Sequence, residues 1–184
     1  MTTVTQRNGL LGILGGILRP RRSPASTTPP ASSAPPATRA PAESRGGPAA
    51  TVEVTPPAAH ALRITYAPDH DGDPDAGEIV WTWVPYSEND GRGKDRPVLV
   101  IARQSDDRVY AVRLTSKAHD ADRDFLAIGT GEWDAQSRPS WVDIDQLYSV
   151  HRDGMRREAS ALDPERFARV ADALHGRYGW IAGD

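Results

Sequence analysis

Along GEIVWTWVP, residues 77–85, Ile79, Trp81 and Trp83 fall on one face of an extended chain and Val80, Thr82 and Val84 on the other. A period of two predicts a strand, here buried largely on both faces, with Gly77 and Pro85 at its ends. RPVLVIAR (96–103) reads as a second strand, with Pro97 placed at its start because proline has no N–H for the ladder. VYAVRLTS (109–116) is a third, and the five-residue gap QSDDR joins the two as an antiparallel hairpin. DFLAIG (124–129) and SWVDIDQLYSV (140–150), the latter broken by polar residues, read as two more.

The period then changes. Asp163 is a natural helix N-cap, Pro164 suits the first helical position, and Phe167, Val170, Leu174 and Tyr178 form a stripe that ends at Gly179. Five hairpin-spaced strands followed by one helix predict a mainly β fold, a small antiparallel barrel with the helix packed on it.

The N-terminal third has a different pattern. Leu10, Leu11, Ile13, Leu14, Ile17 and Leu18 make a helical stripe, followed by Arg19, Arg21 and Arg22. Residues 1–19 are read as a short amphipathic segment, and 9–22 as a weak contact for a membrane surface or a partner groove. Gly9, Gly12, Gly15 and Gly16 weigh toward a frayed tail instead, since each costs a helix roughly 1 kcal/mol relative to alanine. The stripe is shorter than the about 20 apolar residues that a bilayer requires, and it lacks the flanks of a cleaved signal peptide. Residues 20–68 are dominated by Pro, Ala, Ser, Thr and Arg and are expected to be a disordered linker. This leaves 69–184 as the folded domain.

Charge divides the same way. The formal net charge of −3 combines +5 over residues 1–68 with −8 over 69–184, so any nucleic-acid role requires a local basic site rather than bulk attraction. The chain has no cysteine, which excludes disulfides, thiolate metal sites and thiol nucleophiles and accords with a cytoplasmic location.

Several chemistries have no motif behind them. The acidic run DHDGDPDAGE fails as a calcium loop, with Pro74 and Val80 where glycine and glutamate belong. His60, His70, His119, His151 and His175 show no metal-ligand spacing, so neither a metal nor a cofactor is expected. Nucleotide-cradling and serine-hydrolase signatures are missing too. What remains is Arg96 opening the second strand, Thr115 and Ser116 closing the third, and Asp145 with Gln146 in the fifth. The hairpin makes Arg96 and Thr115 spatial neighbours. Lys94 precedes Arg96, and His119 lies just past a strand end, where it could move protons. A guanidinium, a hydroxyl and a carboxylate together suit phosphodiester chemistry. The plainer reading is an Arg–Asp pair on a barrel rim.

GEIVWTWVP, DRPVLVI, LTSK and VDIDQLYSV, taken in that order over residues 77–151, resemble the MazF/PemK toxin family. The resemblance implies an SH3-like barrel, usually homodimeric, that cuts single-stranded RNA without metal and is neutralised by a cognate antitoxin lying in the RNA groove. It implies that the ribose 2′-hydroxyl attacks the adjacent phosphate, giving a 2′,3′-cyclic phosphate and a 5′-hydroxyl. Arg96 then takes the family's catalytic arginine position, Thr115 with Ser116 holds the scissile phosphate, and Asp145 falls where some PemK-type members place a catalytic aspartate. Ser116, His119, Gln146 and Lys94 are the expected substrate contacts. The chain departs from the pattern at Asp143, where those members carry arginine, and in the loop YSENDGRGKD before Arg96. Two acids at 143 and 145 predict local repulsion of RNA. The alternative is a non-catalytic barrel that binds RNA or a protein partner, tethered by its basic tail.

Overall fold

The structure, a computed structural model, describes residues 46–183 apart from His70, Gly72 and Asn89, and leaves aside the side chains of 157–159. The amphipathic segment at 1–19 and the first half of the expected linker lie outside the described residues.

The strands are β1 (Val52–Val54), β2 (Arg63–Ile64), β3 (Glu78–Pro85), β4 (Gly93–Arg103), β5 (Arg108–Thr115), β6 (Phe125–Gly129), β7 (Ser140–Asp143), β8 (Leu147–His151), β9 (Met155–Ala161) and β10 (Ile181–Ala182); one helix, α1 (Pro164–Tyr178), lies between the last two. An antiparallel sheet runs β1-β8-β5-β4-β3-β9, with β7 joining the far end of β5 and β6 pairing β7. A short parallel pair, β2 with β10, stands apart. The sheet curls: Thr51, beside the edge strand β1, meets Thr82 of β3 in a buried hydroxyl–hydroxyl bond of 2.8 Å, although three strands separate β1 from β3 in the order.

Alternation along the strands produces two cores. Ile79, Leu99, Ile101, Val112 and Leu114 face the helix and meet its stripe of Phe167, Val170 and Leu174. Val80, Val84, Val98, Val100, Val109, Ala111 and Tyr148 pack on the other face. The helix starts as predicted: the Asp163 carboxylate accepts from the Glu165 and Arg166 amides, and Gly179 closes it in the left-handed conformation at φ 71°. No helix among the described residues is long and apolar enough to cross a membrane.

Four strands escape a reading of the sequence. The largest correction concerns residues 46–68, expected as linker. There β1 pairs β8, β2 pairs β10, and Leu62 and Ile64 are buried in the core beneath α1. Arg108 donates to the carbonyls of Pro48 and Ala50, and the Trp180 indole donates to that of Pro57. Distant partners impose this order on a stretch whose own composition shows none. The polar strand β9 is missed for the same reason, since it owes its place to pairing with β3. The predicted fifth strand is two strands, parted at residues 144–146, where the Asp145 amide donates to the Asp143 carboxylate.

The second strand begins earlier than expected, at Gly93, so Pro97 lies inside it. Over residues 93–97 β4 pairs β3 alone, the one-sided setting in which proline is tolerated. Gly93 is required there: a Cβ would lie 2.5 Å from the Val84 carbonyl oxygen and 2.9 Å from Pro85 Cα. Both obstacles are backbone, so the strands themselves must part. Gly93→Ala is expected to lower stability by about 1–3 kcal/mol, read as a fall in the urea midpoint; an unchanged midpoint would show that the hairpin end adjusts freely.

Candidate functional site

The β3–β4–β5 ladder builds one end of a cleft of about 580 Å³. Arg96 stands opposite Thr82 on one side. On the other, the β4–β5 ladder ends at Val98 opposite Arg113, and Arg96 and Thr115 lie just beyond it, on the two strands that part there. Both line the cleft, together with Lys94, Ser116, Lys117 and His119. Thr115 Oγ1 accepts the Lys117 amide at 3.2 Å, which folds the chain back directly after β5 and leaves Ser116 exposed. His119 stacks on Phe125 with ring centroids 3.6 Å apart and lies 3.5 Å from the Asp122 carboxylate, so it forms a fixed wall of the cleft.

Arg96 is half-buried, and its Nε is buried with no hydrogen-bond partner among the described residues. Burial first, and then the neighbouring Arg113, lowers its pKa from the ordinary arginine value. The guanidinium nonetheless stays charged. A partly desolvated cation is costly unless an anion offsets its charge. The cleft that Arg96 lines can admit such an anion to the guanidinium.

Its charges reinforce this. Asp134 is tied to Arg138 at 2.8 Å and Asp95 to Arg156 at 3.2 Å, whereas Lys94, Arg96 and Lys117 have no acidic partner among the described residues. A net-acidic domain therefore carries a locally basic cleft, and Trp81 and Phe125 in its lining offer aromatic faces. Among the described residues no three His, Asp or Glu side chains gather as a metal would require.

Two expected site residues stand elsewhere. The Asp145 carboxylate ion-pairs with Arg177 of α1, and its backbone carbonyl accepts from the Tyr178 hydroxyl; it does not line the cleft. Gln146 is also outside, its Oε1 accepting the Tyr148 hydroxyl at 2.9 Å. Tyr148 is held within electrostatic reach of Arg96 and Arg113, and burial pushes its hydroxyl up to about 12.

Nor does Asp143 act as a repelling acid. It is 2% exposed, and Arg113 holds its Oδ2 through both Nε (2.7 Å) and Nη2 (2.6 Å). Arg113, which itself lines the cleft, was missed although the signal was available: it sits two residues before Thr115 on the same strand, hence on the same face.

Residues 75–176 match the family model of PemK-like, MazF-like toxins of type II toxin-antitoxin systems. No curated protein matches the chain. Among solved structures, the chain is similar to an endoribonuclease in complex with its cognate antitoxin from a mycobacterial species, at 19% identity over 58% of this chain and 96% of that one, with a TM-score of 0.44. It is similar to an endoribonuclease from a mycobacterial species at 17% identity, over 59% and 94% of the two chains, with a TM-score of 0.42. A MazE-MazF structure from Deinococcus radiodurans gives 23% identity, 58% and 96% coverage, and a TM-score of 0.42.

Proposed function

The chain belongs to the PemK-like, MazF-like toxins of type II toxin-antitoxin systems, and on that premise we propose that it is an endoribonuclease that cuts single-stranded RNA at the Arg96 cleft. The observation that carries this reading is the half-buried Arg96 sharing one cleft with Thr115, where Lys94, Arg96 and Lys117 have no acidic partner among the described residues.

A ribose 2′-oxygen attacks the adjacent phosphorus, the P–O2′ bond forms and the P–O5′ bond breaks. The 2′-hydroxyl loses a proton and the departing 5′-oxygen gains one, leaving a 2′,3′-cyclic phosphate and a 5′-hydroxyl. Arg96 donates to the non-bridging oxygens as charge builds on them, the moment at which an electrostatic contact is worth most. Thr115 and Ser116 hydrogen-bond the same phosphate and fix it in line, and Lys94 and Lys117 attract the backbone at the mouth. In this scheme His119, which stacks on Phe125, exchanges the protons. Asp145, engaged by Arg177, is given no catalytic part. The reaction as drawn uses no metal and no cofactor.

The proposal extends to a cytoplasmic homodimer and to a cognate antitoxin that occupies the same cleft. It is tested by incubating the full chain with a long single-stranded RNA in EDTA and mapping the new ends. Discrete cuts with cyclic-phosphate and 5′-hydroxyl ends are expected. A folded protein that binds RNA or a protein partner but leaves every RNA intact would instead establish the non-catalytic barrel.

A further inference from the structure

Arg113 sits between two strands and faces a different partner on each. Toward β4 it is opposite Val98, two residues from Arg96; toward β7 its neighbour is Asp143. The Asp143 carboxylate is fully engaged, Oδ2 by two nitrogens of Arg113 and Oδ1 by the Asp145 amide at 2.9 Å. With Nε and Nη2 fixed, the guanidinium plane is set, and Nη1 is left without a protein acceptor among the described residues. Arg113 and Arg96 both line the cleft, close enough for Arg113 to bear on the charge of Arg96. Asp143 neutralises one of the two cations, so the pair retains an excess positive charge that an anion between them would offset.

We infer that Arg113 is a second phosphate-binding arginine of the cleft, taking an RNA phosphate oxygen through its free edge, and that the buried Asp143 is the positioning residue that aims it. This rests on the proposed nuclease reading. It is distinct from a merely structural ion pair between β5 and β7, which would affect folding alone. A lysine keeps the charge but lacks the fork that grips a carboxylate with two donors while presenting a third.

The test uses the full chain, a single-stranded RNA for cleavage, and the same RNA with 2′-deoxy substitutions throughout for binding without turnover. Arg113→Gln is expected to weaken binding about ten- to a hundredfold and to flatten the dependence of log K on log salt by about 0.7. Arg113→Lys should keep the salt slope yet lower kcat at least about tenfold, because the charge remains without its aim. Asp143→Asn should leave binding intact while kcat falls, a split that a structural role does not produce. Wild-type slope and wild-type kcat in Arg113→Gln and Arg113→Lys would overturn the inference while leaving the nuclease intact. If Arg113→Gln does not fold, unchanged kcat in Arg113→Lys overturns it alone. A wild-type chain that neither binds nor cuts RNA would remove the nuclease reading and this inference together.

Discussion

Replacing Arg96 by alanine is expected to lower kcat/KM for RNA cleavage by about 10²–10³-fold or more, the loss typical when one donor to a developing oxyanion is removed. The same substitution should leave the fold as stable as before, or more so. Arg96 keeps its charge although burial and Arg113 both disfavour it, and its Nε forms no bond among the described residues that would be lost. A lowered pKa in a base means that the folded chain pays for the cation, and the cost is present at every pH below that pKa, hence throughout the neutral range. Single-turnover cleavage and a urea titration on the same samples separate the two effects. A mutant that loses activity together with several kcal/mol of stability would show Arg96 to be a structural residue; one that keeps activity would remove the proposed mechanism.

What the sequence discloses here depends on how local the responsible contact is. That Arg96 and Thr115 share one cleft is legible because a short turn makes β4 and β5 neighbours, and the helix because its caps lie within one turn of its ends. The position of Asp145 is not. It depends on where a run of eleven residues breaks into β7 and β8, and on Arg177, thirty-two residues away, drawing the carboxylate toward the helix. Charge behaves likewise: the sum over the domain conceals that the acids at the cleft are tied up, Asp134 by Arg138 and Asp95 by Arg156, while Lys94 and Lys117 have no acidic partner among the described residues. Strands β1, β2 and β10 are two or three residues long, too short to show any period.

Removal of residues 1–68 is expected to leave a chain that does not fold stably. Leu62 and Ile64 are 6% and 1% exposed, and burying such side chains contributes about 1.5–3 kcal/mol each. Truncation also exposes the β8 edge that β1 covers. It takes the acceptors from Arg108 and from the Trp180 indole, and the hydroxyl that Tyr66 donates to the Leu162 carbonyl. Together these losses approach the about 5–15 kcal/mol that holds a typical domain folded. Urea denaturation of the full chain beside residues 46–184 and 69–184 decides the matter. The first two should share a midpoint and the third should show no cooperative transition; a third midpoint equal to the others would make 46–68 a dispensable strap. The family match begins only at residue 75, so a fragment cut to that boundary lacks part of its own core. Silence from such a fragment in an RNA assay would report on Leu62 and Ile64, and only the longer chain can report on Arg96.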